Sequence, residues 1–304
     1  MPKSREVDVC VATYRRPRLL KKLLLSLLAQ ELDDAVSYRI VVVDNDASAS
    51  ARQVVMDVSA IAEVEVIYDV EPEQNISLAR NRAISLAKGD MIAFIDDDEY
   101  AEPDWLQKLL DAVENWQADA VFGPVITVYP PNTPGWIKRG GFFERARWSS
   151  GTIRPHGGTG NVLITKSAMS GMKWYFDPEY GLSGGGDTDF FSRMHNRGAK
   201  LIWCDNAVVY EEVPASRMTL RWMMLRAFRG GQSHSRVYLR HMGAKKKLIW
   251  VLKKTGFLAV LVAFAPFSIV GGRVLMVKTL QRIFASVGHL TSLSGLRYLE
   301  YQHQ

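Results

Sequence analysis

Three consecutive aspartates and a glutamate, Asp96 to Glu99, follow the apolar run from Met91 to Ile95. The run has the composition of a buried strand. Because the carboxyl ends of strands line the ligand crevice in open α/β sheets, we expect these carboxylates at a binding site. Adjacent carboxylates repel one another unless a cation compensates them, and their oxygens suit Mg²⁺ or Mn²⁺. The alternative is a solvated acidic turn before the helix that Pro103 begins.

Polar residues also end two earlier strand-like runs. Asp44 follows the apolar run over residues 39–43, where its carboxylate could accept a hydrogen bond from the base or ribose of a nucleotide. Thr13 and Tyr14 close the first run in the same way. Because polar residues at strand ends also make turns, each of these three is either a site residue or a turn residue.

A further carboxylate, Asp187, follows three glycines and precedes a helical pattern that contains Asp189. Glycine lets the backbone approach a ligand closely, and a carboxylate at a helix start could act as a general base on a hydroxyl. The alternative is that Asp187 caps the helix and Asp189 lies in its first turn, which requires no catalysis.

The elements that must position these residues alternate regularly. Strand-like runs lie at residues 7–12, 39–43, 64–68 and 91–95, and helical patterns begin at Pro17, Ile76 and Pro103. This order predicts an α/β fold with a mainly parallel central sheet. After about Gly123 the alternation stops, and residues 129–160 are rich in Pro, Gly, Trp and Arg, which is typical of loops over a functional face.

Charge is distributed unevenly along the chain. Residues 213–299 contain no Asp or Glu but fifteen Lys or Arg, although the net charge of the whole chain is only +6. Residues 255–272 carry no charge, which predicts a re-entrant or interfacial membrane segment whose basic flanks attract anionic lipid. The alternative is a buried helix of the folded domain. Nucleic acid is not expected as a partner, because no nucleic-acid-binding motif accompanies these charges.

Composition and cysteine content exclude several other classes of protein. With 304 residues, 47% of them apolar, the chain can bury a large core, which excludes a disordered or disulfide-rich miniprotein. Cys10 and Cys204 lie far apart and indicate neither a disulfide framework nor a cysteine zinc site. No apolar segment precedes the first strand-like run, so we expect a cytoplasmic protein that is peripheral or monotopic at the inner face of the cell membrane.

Several segments, in this order, resemble family 2 glycosyltransferases of the GT-A fold, in particular bacterial exopolysaccharide sugar transferases of the succinoglycan type. The resemblance covers roughly residues 5–230, and its segments are VDVCVATYRRP, VVVDN, NISLARN, GDMIAFIDDD, GTGNVLI and GGGDTDFF. It implies a Rossmann-like sandwich of the GT-A type with a C-terminal helical extension that is basic and apolar. The corresponding boundaries are a nucleotide-sugar-binding half at 1–123, an acceptor-binding half at 124–215, and a membrane-associating extension at 216–304.

The resemblance, together with the strand-end positions, gives a nucleotide-sugar-binding set of Thr13, Tyr14, Asp44, Arg80, Asp96 and Asp97. By resemblance Asp44 would contact the base, Arg80 would help hold the nucleotide, and Asp98 would bind the divalent metal, Mg²⁺ or Mn²⁺. Asp187 matches the family's catalytic base. Candidates for the acceptor side are His156, Asn161 and Asp189; Asp189 could stand in for a Glu of many relatives, since this chain has Gly186 there.

The expected reaction is an inverting transfer from a nucleotide diphosphate-sugar to a hydroxyl of a lipid-linked saccharide acceptor, in exopolysaccharide or cell-surface synthesis. One alternative is a magnesium-dependent phosphohydrolase of the haloacid-dehalogenase type, in which Asp96 would be a covalent nucleophile. In that class the motif normally lies on the first strand of its domain, whereas here three strand-helix units precede it. A second alternative is a non-catalytic scaffold that binds membranes.

Overall fold

The computed structural model describes residues 5–240, 242–294 and 298. It divides the chain into two compact units. The first, which we call the sheet unit, comprises the described residues up to Thr127, together with Arg145–Leu182 and Gly186–Glu211. The second, the helical unit, comprises Val128–Glu144, Ser183–Gly185 and the described residues from Glu212 onward. The sequence-based boundaries at 123 and 215 stay predictions, and residues 241, 295–297 and 299–304 of the predicted extension lie outside the described part.

Ten strands are present in the described residues: β1 (Arg5–Thr13), β2 (Val36–Asp44), β3 (Val66–Val70), β4 (Met91–Ile95), β5 (Glu99–Ala101), β6 (Ala120–Phe122), β7 (Val125–Val128), β8 (Asn161–Thr165), β9 (Leu201–Trp203) and β10 (Val209–Glu212). Nine α-helices are described: α1 (Pro17–Leu28), α2 (Arg52–Ser59), α3 (Ile76–Leu86), α4 (Trp105–Trp116), α5 (Gly135–Gly140), α6 (Gly186–Asn196), α7 (Leu220–Leu239), α8 (Ala244–Val270) and α9 (Arg273–Thr291). Short 3-10 helices lie at Lys166–Met169, Pro178–Tyr180, Ala215–Arg217 and Ser292–Ser294.

The central sheet has seven strands in the order β3-β2-β1-β4-β8-β6-β9. The pairs β3/β2, β2/β1, β1/β4 and β6/β9 are parallel, and only β8 runs antiparallel to its neighbours β4 and β6. The predicted α/β class with a mainly parallel sheet is therefore confirmed. A second sheet of three strands has the order β5-β10-β7, and its β5/β10 pair places Glu99 opposite Glu211.

Both faces of the central sheet are covered, which explains why its strands read as continuous apolar runs. One core joins alternate residues of β1 and β2 to α1, α2 and α4, and the leucine stripe of α1 supplies the buried Leu20, Leu23, Leu24 and Leu27. The opposite face of the sheet packs against α3 and α6, where Phe176, Phe190 and Phe191 are fully buried. This layering fixes the carboxyl ends of β1, β2 and β4 at one edge.

The helical unit has a small core of its own, formed by Ile137, Met223, Met224 and Val277. Helices α7 and α9 approach closely at two glycines. A Cβ on Gly231 would lie 2.1 Å from the carbonyl oxygen of Ala285, and one on Gly288 would lie 2.0 Å from that of Phe228. The two helices therefore pack backbone against backbone at these positions.

Helix α8 is the one described helix that is long and apolar enough to cross a membrane, by length and composition alone. Only 6% of its most apolar window is buried, and its exposed side chains include Leu252, Phe257, Phe264 and Phe267. The alternative interpretation of residues 255–272 as a buried helix is therefore wrong. The basic flank from Lys245 to Lys254 and residues 255–270 of the uncharged segment form one continuous helix, with Pro266 inside it.

Candidate functional site

The ends of β1 and β4 meet at the sheet edge, as their parallel register requires. Thr13 ends β1, and its hydroxyl donates a hydrogen bond of 2.8 Å to Oδ2 of Asp97, which follows β4. Asp97 is almost fully buried, and this burial raises its pKa to about 6 against the opposing effect of Arg16. The structure therefore brings together two residues that the sequence placed at a common edge.

Arg16 is a site residue that the sequence-based set omits. Its Nη1 lies 3.1 Å from Oδ1 of Asp97 and 3.2 Å from Oδ2 of Asp98, so one guanidinium bridges two adjacent carboxylates. Arg16 immediately precedes α1, whose first residue is Pro17. The signal in the sequence was the pair of arginines between a strand end and a helix-starting proline, and its sign complements the aspartates.

Arg80 and Asp96 form a second ion pair at this edge. Nη2 of Arg80 lies 3.4 Å from Oδ1 of Asp96, and the guanidinium carbon is 5.6 Å from the ring centroid of Phe176. Helix α3 carries Arg80, and Asn75 caps its N-terminus by accepting hydrogen bonds from the backbone N–H groups of Ser77 and Leu78. The Asp96 carboxylate keeps 39% of its surface exposed, so it can still meet a ligand.

Glu99 lies beneath the aspartates and is almost fully buried. Its Oε2 accepts a hydrogen bond of 3.1 Å from the backbone N–H of Asp96, and its Oε1 lies 3.5 Å from Nη2 of Arg145 without a hydrogen-bond partner. Arg145 also contacts Glu211 at 2.6 Å. Burial raises the pKa of Glu99 well above its usual value, and the charge of Asp96 adds to the effect. Any side chain at Gly160 would collide with this group, because its Cβ would lie 2.6 Å from Oε1 of Glu99.

Asp44 is fully buried and organises the loop after β2. Its carboxylate accepts hydrogen bonds from the backbone N–H of Asp46 at 3.1 Å, from that of Ala51 at 2.7 Å, and from the hydroxyl of Tyr68 at 3.0 Å. These contacts tie the carboxyl end of β2 to the start of α2 and to β3. A base contact by Asp44 stays a prediction. Tyr14 follows Thr13 at the end of β1, and the Arg15 guanidinium lies 5.0 Å from its ring centroid.

Asp187 lies half-buried in the first turn of α6, and its Oδ1 accepts a hydrogen bond of 2.8 Å from the backbone N–H of Thr188. The loop at residues 156–160 lies against it, since a Cβ on Gly158 would be 3.4 Å from Oδ2 of Asp187. Within the described residues, no Lys or Arg lies within 4.0 Å of this carboxylate. The pKa of His156 is lowered by partial burial and by the Arg154 charge, against the opposing effect of the Asp187 charge.

The other two acceptor-side candidates have internal partners. Asp189 is buried, and its Oδ2 accepts a hydrogen bond of 2.8 Å from Nε of Arg193. Asn161 begins β8, donates to the carbonyl oxygens of Pro124 and Ala207, and accepts from Nε1 of Trp105 at 2.8 Å. These bonds hold the loops around β8 in place. A contact between either side chain and an acceptor stays a prediction.

Asp96 and Asp98 are the residues that could hold a divalent cation at this edge, because both present carboxylate oxygens and Asp96 is partly open to solvent. In residues 5–240, 242–294 and 298, no group of three or more His, Cys, Asp or Glu side chains forms a metal cage. These two carboxylates therefore fit a cation that is bound by one or two protein carboxylates and completes its coordination shell with phosphate oxygens of the substrate.

The fold of this chain is the GT-A fold. Two solved structures with this fold match over nearly the whole chain. S. aureus TarS 1-349 in complex with UDP-GlcNAc has a TM-score of 0.56 at 16% identity and covers 96% of this chain and 93% of its own. The mannosyltransferase PcManGT from Pyrobaculum calidifontis, in complex with GDP-Man and Mn²⁺, has a TM-score of 0.59 at 15% identity and covers 99% and 79%.

Sequence comparison then gives the family. The model of glycosyl transferase family 2 matches residues 8–171. The chain is 40% identical over 232 residues to the succinoglycan biosynthesis protein ExoM of Rhizobium meliloti (strain 1021), across 76% of this chain and 74% of that relative. The chain therefore belongs to glycosyl transferase family 2. Because the chain belongs to this family, the phosphohydrolase alternative is excluded. Family membership also confirms the resemblance from which the site residues were assigned.

Proposed function

We propose that this chain is an inverting glycosyltransferase that moves a sugar from a nucleotide diphosphate-sugar to a hydroxyl of a lipid-linked saccharide acceptor in exopolysaccharide synthesis. The observation that carries the proposal is the cluster of Asp96, Asp97 and Asp98 at the strand edge, held by the guanidinium groups of Arg16 and Arg80. The name of the ExoM relative supports the exopolysaccharide assignment.

The residues divide the work between donor and acceptor. Asp96 and Asp98 would hold Mg²⁺ or Mn²⁺, which when bound neutralises charge on the departing diphosphate. Arg16 and Arg80 keep the aspartate side chains in fixed positions before the donor arrives. Asp187 takes the proton from the acceptor hydroxyl, which attacks the anomeric carbon from the face opposite the diphosphate. A single displacement of this kind inverts the anomeric centre and needs only one base.

The test is a thermal-shift panel of UDP-, GDP- and dTDP-sugars with Mn²⁺ or with EDTA, followed by release of the nucleoside diphosphate from the best donor. A ligand that binds only the native state raises the melting temperature. We expect one donor to raise it in a Mn²⁺-dependent manner, and Asp98→Asn to remove the Mn²⁺-dependent part. The exposed Asp111→Asn is the matched control. No shift and no release with any donor would contradict the proposal and favour a non-catalytic scaffold.

Membrane association is the second part of the proposal. Helix α8 exposes apolar side chains along its length, and Lys245, Lys246, Lys247, Lys253 and Lys254 lie in its first half. Exposed apolar surface of this extent is costly in water and is stabilised in lipid, and lysines attract anionic headgroups. We infer that α8 enters the cytoplasmic face of the cell membrane, in a peripheral or monotopic manner.

Flotation of the full chain with vesicles tests this inference. We expect binding to vesicles with 30% anionic lipid, and loss of most of it in the double variant Leu252→Ser, Phe257→Ser. The control Met56→Ser, Ile61→Ser changes exposed apolar residues of the sheet unit and should float like the wild type. Equal flotation of all three proteins would contradict the role of α8. Extraction of the bound wild type by alkaline carbonate would assign a peripheral mode, and resistance a monotopic one.

A further inference from the structure

An open pocket of about 270 Å³ lies in the sheet unit beside the start of α6. Its lining includes Trp148, Arg154, His156 and Trp203. Trp148 and Trp203 meet edge to face, with ring centroids 4.8 Å apart at 78°. The Arg154 backbone is anchored, because its N–H donates a hydrogen bond of 2.9 Å to the carbonyl oxygen of Leu201. The pocket is therefore lined by aromatic rings that pack on each other and by an arginine whose backbone is held by a hydrogen bond.

The Arg154 guanidinium stacks on Trp148, with its central carbon 3.4 Å from the ring centroid. Stacking occupies the flat face of a guanidinium and leaves its in-plane N–H groups free to donate to an anion. The neighbouring arginines are already paired, Arg147 with Asp205 at 2.9 Å and Arg145 with Glu211 at 2.6 Å. Within the described part of the chain, no Asp or Glu pairs with Arg154.

An uncompensated guanidinium held in an aromatic pocket is a site for an anion, because charge-assisted bonds to carboxylate or phosphate are strong when partly shielded from water. Burial also lowers the pKa of Arg154, as expected for a cation without a partner. The loop from His156 to Gly160 forms part of the pocket and lies against Asp187, so the pocket adjoins the proposed base.

We propose that Arg154 binds an anionic group of the acceptor, a carboxylate or a phosphate, while Trp148 and Trp203 contact the apolar face of a sugar ring. This inference rests on the proposed function, since it makes the pocket the acceptor side of the site. The anion has two sources, the carboxylate of an acidic sugar or the phosphate of the carrier.

Calorimetry on the full chain separates these sources. The probes are cellobiose, cellobiouronic acid and cellobiose 1-phosphate. Each is titrated in the presence of the nucleoside diphosphate of the donor that gives the largest thermal shift, so that the donor site is filled. We expect one charged probe to bind about tenfold tighter than cellobiose, as one charge-assisted contact gives. Preference for the acid points to the sugar, and preference for the phosphate points to the carrier.

Variants connect the preference to Arg154. Arg154→Gln should bring the charged probe to within about twofold of cellobiose, since the Coulombic attraction is gone. Arg154→Lys keeps the charge without the planar stack and should retain an intermediate preference, which covers the case in which Arg154→Gln fails to fold. Arg147→Gln, the matched control with an internal partner, should keep the full preference.

Equal binding of all three probes by the wild type, or an undiminished preference in Arg154→Gln or Arg154→Lys, would overturn the inference. Nucleoside diphosphate release from a donor, measured without acceptor, keeps the two proposals distinguishable. Release by a wild type without anion preference removes the Arg154 inference alone. Absence of release with every donor removes the proposed function, whatever the probes show.

Discussion

The two carboxylate regions of the sheet unit differ in how their charges are compensated. At the end of β4, Arg16 bridges Asp97 and Asp98, and Arg80 pairs with Asp96. At the start of α6, Asp187 has no cation within 4.0 Å in the described residues. The first region is preorganised, because side chains held by ion pairs lose little freedom when a charged ligand arrives. The second leaves its carboxylate available for proton transfer.

Substitution of the uncompensated carboxylate should have the largest effect. Asp187→Asn removes the group that accepts the proton, and we expect the kcat of transfer to fall by about 10²- to 10⁴-fold. Because Asp187 does not touch the β4 carboxylates, the donor Kd should stay within about twofold of wild type. Steady-state kinetics and donor titration measure both. If Asp189→Asn removes turnover at unchanged stability and Asp187→Asn does not, Asp189 rather than Asp187 is the general base.

Removal of the Arg16 guanidinium, which Asp97 and Asp98 share after β4, should have an intermediate effect. Arg16→Gln removes the guanidinium that bridges the largely buried Asp97 and Asp98, and we expect a loss of about 1–3 kcal/mol in the free energy of unfolding. Urea denaturation at pH 7 measures it. The control Arg82→Gln breaks an exposed pair with Asp69, which should cost less than about 1 kcal/mol. Equal losses in the two variants would contradict the preorganisation of the β4 region.

The smallest effect concerns the pH dependence of stability. Burial raises the pKa of Glu99 well above 4.5, so the folded state holds a proton that the unfolded state releases as pH rises. Stability from this group is therefore present at low pH and falls as pH rises above its unfolded pKa. Glu99→Gln cannot ionise, and its stability relative to wild type should rise by an amount on the order of 1 kcal/mol between pH 5 and pH 8.

Urea denaturation in EDTA at both pH values measures this difference. Asp97 also has a raised pKa, but it contributes with the same sign in both proteins and cancels in the comparison. A stability difference between Glu99→Gln and wild type that falls or stays constant with pH would show that the Arg145 charge, rather than burial, dominates at Glu99.

The order of apolar and polar residues along the chain was sufficient to predict the parallel strands β1, β2 and β4 and the helix α1. Val7–Ala12, residues 39–43 and Met91–Ile95 lie within or coincide with β1, β2 and β4, and Pro17 begins α1. The helical pattern that begins at Ile76 is α3, which ends at Leu86 because Ala87 adopts an extended backbone. The run at 64–68 is displaced to Val66–Val70, since pairing with β2 sets its register. Strands of three residues, such as β6 and β9, are too short for a periodic signal.

The amino-acid sequence by itself determined which strands end in carboxylates, because a buried apolar run followed by Asp is a local pattern, and it determined that the charge-free part of α8 follows a basic segment. Only the tertiary structure decided which carboxylates are compensated. Arg16 and Arg80 lie 81 and 16 positions from their partners Asp97 and Asp96. That Arg154 has no Asp or Glu partner among the described residues is recognisable only when its neighbours are in place. Ion pairing depends on distances in space, and the packing of helices on a parallel sheet sets those distances.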